Sequence, residues 1–349
     1  MKKNTITKIF TAALFTAIVW TVFTGCMDPI FKNIKQEVKL ENPTKLGEVY
    51  SFARIGEDQI YFANGRIYHK DKKNEGHGGW IEFSKPEGHV LTIASDSDDW
   101  LYAVCVYYGK NDSDGEMKVT GIKLFACDTK ASPTVWKELK DVTLSAGKTC
   151  ALMGTNSVTK LNRKAFISYV LSDGTAKGCA LSKGTAEIYA EAAGKKSCAY
   201  LKDALLKDNI KFNSGDAACS NNDDTIVYYS NGSTVIKKDK DKEVNLTTNI
   251  RSTIHGIAVL NDSVFVTSAA GAALVDINTG EEKEFSNLQA TLSTLYEGRA
   301  CIVCDPNQNH KDSIIYAGIT VKGTGSNSAL FTHEGLWSYY PSRGKWNIE

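Results

Sequence analysis

Ile60-Tyr-Phe-Ala-Asn-Gly65-Arg-Ile-Tyr68 reads as an apolar run, a turn built on glycine, and a second apolar run. Asn-Gly supplies the positive φ that a tight hairpin demands, so the stretch predicts two antiparallel strands joined at residues 64–65. The phrase returns at Ile226-Val-Tyr-Tyr-Ser-Asn-Gly232-Ser-Thr-Val-Ile236, at Val264-Phe-Val-Thr-Ser-Ala-Ala-Gly271-Ala-Ala-Leu-Val275 and at Leu330-Phe-Thr-His-Glu-Gly335-Leu-Trp-Ser-Tyr339. A short third strand is expected after three of the four, at Gly79-Trp-Ile-Glu-Phe83, Lys283-Glu-Phe285 and Lys345-Trp-Asn-Ile-Glu349. Longer versions fit Trp100–Leu139, with its loop near Asp112–Glu116, and Lys164–Tyr189, turning near Gly174.

A hairpin apolar on both sides has to stack against its neighbours. Units of roughly 40–60 residues with three or four short strands each are those of propeller blades. The expected fold is therefore all-β, a β-propeller over residues 45–349. Its turns give six blades, or seven if a degenerate blade falls near 190–220 or 290–325. A pair of β-sandwiches fits the strand spacing but does not explain why one phrase recurs. Val49–Ile55, Gln59–Phe62, His89–Ile93 and Ala165–Val170 add further β-branched and aromatic runs between turn residues. The one helical pattern is Ala199 to Lys207, with Leu201, Leu205 and Leu206 on one face.

Upstream of this body the chain reads differently. Lys2, Lys3 and Lys8 precede an apolar run from Ile9 to Phe23, followed by Thr24-Gly25-Cys26. A basic start, an apolar core and small residues before the cut make a secretory signal peptide over residues 1–25. The run is shorter than the ~20 residues a membrane span needs. A cut before Cys26 leaves the thiol of a bacterial lipobox to be acylated, with Phe23 in place of the usual leucine. Two or three acyl chains anchor stably where one does not. Residues 26–44, mixed and charged, are expected to be a tether.

Removing three lysines leaves 38 basic residues against 40 acidic ones. A balance near neutrality offers no electrostatic footprint for nucleic acid. Beside Cys26 stand eight cysteines, at 105, 127, 150, 179, 198, 219, 301 and 304. An exported protein permits disulfides among them, and small buried hydrophobes are the other reading.

No pattern carries catalysis or a cofactor. Cys301-Ile-Val-Cys304 lies in a strand-like run rather than at a helix start. Ser145-Ala-Gly-Lys148-Thr149 lacks the first glycine of a phosphate loop. The carboxylates of Asp96-Ser-Asp98-Asp99 and Asp112-Ser-Asp114-Gly115-Glu116 do not complete a calcium loop, and they read as solvated turns. Histidines 69, 77, 89, 255, 310 and 333 show no metal spacing. Asn64-Gly65-Arg66, which after deamidation can mimic an integrin ligand, reads as a structural turn. Trp80, Trp100, Trp337, Tyr339, Tyr340 and Trp346 read as packing between blades rather than as a sugar platform. A non-enzyme is expected.

The Phe23-Thr24-Gly25-Cys26 site and the tryptophan-bearing strands Gly79-Trp-Ile-Glu-Phe-Ser84 and Gly335-Leu-Trp-Ser-Tyr-Tyr-Pro-Ser-Arg-Gly-Lys-Trp-Asn-Ile348 resemble treponemal lipoproteins. In particular the protein is similar to the paralogous group that includes a fibronectin-binding outer-surface lipoprotein. The resemblance implies surface display and binding of host matrix, and it assigns no binding residue. The expectation is a binding module anchored through Cys26 at the outer membrane or cell surface, with polar loops at 69–79, 109–117 and 305–312 for recognition. A periplasm-facing scaffold for a protein partner is the alternative.

Overall fold

A strand apolar on both sides must be covered twice, and β6 (Trp100–Lys110) shows how this protein achieves it. Its Leu101, Ala103 and Cys105 face one neighbouring sheet, while Tyr102 and Val104 face the other. The computed structural model describes residues 49–55, 59–71, 79–96, 99–110, 115–146, 150–154, 165–192, 199–202, 209–212, 218–220, 226–239, 242–246, 252–260, 262–268, 271–283, 296–304, 314–321, 335–340 and 345–349. The chain divides into two units, Met1–Thr44 and Lys45–Glu349. Cys26, the expected signal peptide and the tether lie outside the described residues, and all the described strands belong to the second unit.

Every described element is a strand. The first sheet holds β1 (Ser51–Ile55), β2 (Gln59–Ala63), β3 (Ile67–Asp71) and β4 (Ile81–Phe83). The second holds β5 (His89–Ser95), β6, β7 (Met117–Asp128) and β8 (Trp136–Glu138), and the third β9 (Cys150–Gly154), β10 (Ala165–Val170), β11 (Ala176–Ser182) and β12 (Thr185–Ala192). A two-stranded hairpin follows, β13 (Ala199–Lys202) with β14 (Asn209–Phe212). The fourth sheet holds β15 (Ala218–Ser220), β16 (Ile226–Asn231), β17 (Thr234–Asp239) and β18 (Lys242–Leu246). The fifth holds β19 (Ile254–Leu260), β20 (Ser263–Ser268), β21 (Gly271–Asp276) and β22 (Glu282–Lys283). The sixth holds β23 (Tyr296–Cys304), β24 (Ile314–Val321), β25 (Gly335–Tyr340) and β26 (Lys345–Ile348).

Within each sheet the strands pair antiparallel in sequence order. The first strands then follow one another in a circuit: β1 lies against β5, β5 against β9, β9 against β15, β15 against β19, β19 against β23, and β23 back against β1. Side chains replace ladder bonds along it. Ser95 Oγ donates to the Arg54 carbonyl at 2.5 Å, and Ser51 Oγ accepts from Ile93 N at 2.8 Å. Sequential meanders closed into a ring are a β-propeller. Through β13 the hairpin packs on β10, β11 and β12, in one of the two stretches, 190–220 and 290–325, where a seventh, degenerate blade would fall.

Apolar clusters fill the gaps between sheets rather than one central core. Tyr102, Val104 and Leu124 meet Leu152, Ile167 and Leu181 between the second and third sheets. Phe52, Phe62 and Trp80 meet Ile314, Tyr316 and Leu336 between the first and sixth. Each such side chain is worth about 1.5–3 kcal/mol when fully buried, which is what makes the stack cohere.

Several details differ from the sequence reading. Ala199–Lys202 is strand, not helix, because its neighbour Asn209–Phe212 offers a ladder that a short helix here would forgo. The hairpin after Val264-Phe-Val closes between Ser268 and Gly271, which face each other, so Gly271 is already a strand residue. Gly335 likewise begins β25, whose partner is β24, ending at Val321; residues 330–334 lie outside the described residues. Of the expected turn glycines, Gly65 (φ 89°) and Gly232 (φ 62°) take the left-handed conformation, as does Gly174 (φ 89°), and Gly335 also has a positive φ, 127°. Gly232 joins a two-residue turn, Asn231 opposite Thr234, and Gly65 a three-residue one, Ala63 opposite Ile67.

Candidate interaction surface

The meander order fixes two rims. Turns between second and third strands open on the same rim as the connections between sheets, and the remaining turns open on the other. Hydrogen bonds confirm the pairing on the first rim: Val90 N donates to the Gly65 carbonyl at 3.1 Å, and Ile254 N to the Gly232 carbonyl at 2.9 Å. The strands that flank the three expected recognition loops divide between these rims. β6 and β7, which flank 109–117, meet at the first rim, whereas β3 and β4, flanking 69–79, and β23 and β24, flanking 305–312, meet at the second. Residues 72–78, 111–114 and 305–313 lie outside the described residues.

The β6–β7 hairpin is built differently from the rest. β5 accompanies β6 only as far as Val106, and β8 accompanies β7 only over Phe125–Cys127. Beyond Tyr107 and Gly121 the two strands run on alone to Lys110 opposite Met117. A bulge at Thr120 rotates this ribbon, since Tyr107 faces Gly121 while Tyr108 faces Val119. Register then places Tyr108, Lys110, Met117 and Val119 on one face. Tyr108, Met117 and Val119 are 49%, 62% and 37% exposed. The other face carries Lys118, Thr120 and Lys123, the last lying 5.5 Å above the Tyr107 ring and 2.9 Å from Glu138. At the ribbon's base His89 packs between Tyr50 and Tyr108, at 5.9 and 6.1 Å. Sequence reading found this hairpin but missed its amphipathic ribbon. The length of β6 and β7, 11 and 12 residues against five in β1, was the available signal.

Buried polar groups elsewhere act as joints. Asp96, taken from sequence as part of a solvated turn, is fully buried. Its Oδ2 accepts from Tyr102 Oη at 2.7 Å and Lys183 N at 3.0 Å, and its Oδ1 from Trp100 N at 3.0 Å. Asp96 is thus pinned against the third sheet, whose Gly184 N also donates to Tyr102 Oη at 3.1 Å, and residues 97 and 98 lie outside the described residues. A carboxylate so spent has little to offer a cation. Between the first and sixth sheets, Glu349 Oε2 accepts from Lys70 Nζ at 3.2 Å and Trp80 Nε1 at 3.1 Å, and Oε1 from Ser338 Oγ at 2.5 Å. Lys70 Nζ also sits 5.5 Å over the Trp80 ring and 6.0 Å over that of Tyr316.

Cys105, Cys127 and Cys179 are free, buried thiols. Burial pushes the first two up to about 12, and it raises Cys179 as well. A thiol held neutral is neither nucleophile nor metal ligand. The side groups of Cys150, Cys198, Cys219, Cys301 and Cys304 lie outside the described residues. Among the described residues no group of three or more His, Cys, Asp and Glu side chains could hold a metal. Arg66 is tied to Glu82 at 2.9 Å, which makes Asn64-Gly65-Arg66 part of the sheet. Trp80 and Trp337 are buried, while the side groups of Tyr340 and Trp346 lie outside the described residues.

No family model matches this protein, and no curated protein matches it. Among solved structures it is similar to Sqt1 of Saccharomyces cerevisiae, at 7% identity over 85% of this chain and 93% of that one, with a TM-score of 0.35. That score is too low to argue from. The propeller rests on the order and closure of the six four-stranded sheets.

Proposed function

We propose that the protein is a non-catalytic binding module held at the bacterial surface by acyl chains on Cys26, and that it engages a host matrix protein of the fibronectin kind. The observation that supports a binding role is the β6–β7 ribbon. It presents Tyr108, Met117 and Val119 together to solvent, on a body whose other large apolar side chains are, among the described residues, mostly buried. Exposed apolar side chains grouped on one projecting element mark interaction sites. Aromatic anchors on such elements carry a disproportionate share of binding energy. Anchoring and matrix binding rest on the Cys26 lipobox and on the family resemblance.

The test uses the full acylated protein. Fibronectin and laminin are titrated against it at low and high salt, while intact bacteria are treated with protease. Saturable binding with weak salt dependence, together with digestion on intact cells, is the expected result. No saturable binding combined with protection from protease would replace the adhesin with a periplasm-facing scaffold. Continued membrane partition of Cys26→Ser would remove the anchor.

A further inference from the structure

Asn-Gly occurs twice in the sequence, at Asn64-Gly65 and Asn231-Gly232. The fold puts the two pairs in equivalent places. Each closes the hairpin between the second and third strands of its sheet, and each glycine carbonyl accepts an N–H from the first strand of the next sheet, Val90 or Ile254. Their nitrogens differ. Gly65 N–H donates to the Val90 carbonyl at 3.1 Å, Asn64 N–H donates to Arg66 O at 3.1 Å, and Gly65 itself is buried. Gly232 N–H donates to nothing among the described residues, and Asn231, Gly232 and Ser233 are all exposed. A Cβ at Gly232 would meet nothing within 4 Å.

We infer that Asn231-Gly232 is a site of spontaneous deamidation and that Asn64-Gly65 is protected from it by the fold. The Gly232 backbone nitrogen gives up its proton to solvent base and attacks Cγ of Asn231. The new C–N bond closes a five-membered imide, the bond from Cγ to Nδ2 breaks, and ammonia leaves with a proton from water. Water then opens the imide at either carbonyl to give aspartate or isoaspartate. No co-reactant beyond water is needed, and glycine after asparagine leaves the approach uncrowded. At Gly65 the same nitrogen would first have to release Val90 and leave a buried site, which costs the hydrogen bonds that seat the turn. The product places a carboxylate on the turn's exposed surface, on the rim that also carries the β6–β7 ribbon. Isoaspartate in addition lengthens the backbone by one methylene at a two-residue turn.

The full-length protein is incubated in mildly alkaline buffer, digested, and its peptides weighed and labelled with an isoaspartyl methyltransferase. The expected result is a one-dalton gain with isoaspartyl label at Asn231. Its rate should exceed that at Asn64 by roughly tenfold or more, the factor that the backbone bonds of Gly65 would confer. In concentrated urea the two rates should converge, because the local sequence is the same dipeptide. Equal rates in the folded protein would overturn the inference. So would an Asn231 that stays unmodified when folded but reacts in urea.

Discussion

Lys70 and Glu349 stand 279 positions apart in the sequence and 3.2 Å apart in the fold, with both side groups withdrawn from water. Elsewhere around the ring the backbone itself passes from one sheet to the next. The seam between the first and sixth sheets has no such link, and no strand is shared across it. It is held by Val49, Phe52, Phe62 and Trp80 against Ile314, Tyr316 and Leu336, and by the carboxylate of Glu349 on Lys70, Trp80 and Ser338.

Removing one member of a buried ion pair strands the other, at a cost of about 3–5 kcal/mol. Glu349→Ala should therefore lower the urea midpoint of the full-length protein by a corresponding amount. The double change Lys70→Met with Glu349→Leu should recover part of the loss, since it removes the stranded ammonium but still takes the carboxylate from Trp80 Nε1 and Ser338 Oγ. Equal loss in the single and double variants would show that the seam depends on packing alone.

Gly65 and Gly232 separate two costs. Alanine at Gly232 meets open space and bears only the left-handed backbone, about 1–2 kcal/mol. Alanine at Gly65 bears that cost too and drives its Cβ into the His89 imidazole, so a further ~1–3 kcal/mol of overpacking is expected. Chemical denaturation of the two variants should rank Gly65→Ala as clearly the worse.

The neutral thiols give a pH signature. Burial holds Cys105 and Cys127 near 12 in the folded protein, whereas the unfolded state ionises them from their ordinary 9.0. Their contribution to stability is therefore constant below pH 9 and declines as pH rises from 9 toward 12, because only the unfolded state releases protons there. The same groups should resist thiol reagents until the protein unfolds. Rapid labelling of Cys105 or Cys127 in the folded protein at pH 8 would contradict the burial argument.

Binding, if it runs through the ribbon, should fall with Tyr108→Ala and Met117→Ala. Met117 is mostly in solvent, so its change should alter stability by less than about 0.5 kcal/mol; Tyr108, half-exposed and packed on His89, should cost somewhat more, up to about 1 kcal/mol. Interferometry against the matrix ligand and thermal unfolding, run on the same samples, check both halves of this expectation. Val135→Ala is the control, since Val135 is 65% exposed but lies away from the ribbon, just before β8.

How much of this could be read in advance depends on the distance over which each feature is encoded. Hairpins at Asn64-Gly65 and Asn231-Gly232 are local, and alternation with turn residues revealed them. The apolar runs on both sides of the Ile60–Tyr68 hairpin and its repeats announced stacking. Gly271 and Gly335 misled because a glycine beside apolar runs can be a turn or merely the first residue of a strand. Leu201, Leu205 and Leu206 matched a helical period; pairing with Asn209–Phe212 overrode it over Ala199–Lys202, and Leu205 and Leu206 lie outside the described residues. Asp96 was read as wet because its partners, Tyr102 and Lys183, come together only once the second and third sheets stack. The ribbon's exposure depends on where β5 and β8 stop, which no property of residues 107–121 states.

Because each four-stranded sheet is made from consecutive residues, strand pairing can keep pace with synthesis, and local contacts of this kind form quickly. Ring closure is the exception. Until β26 and Glu349 have been made, Phe52, Phe62 and Trp80 wait without the sixth sheet's Ile314, Tyr316 and Leu336 to cover them. During that interval the uncovered apolar face of Phe52, Phe62 and Trp80 on one unfinished copy is open to the same face on another. The time between making the first sheet and the last is thus the period in which copies of this protein are most prone to join one another.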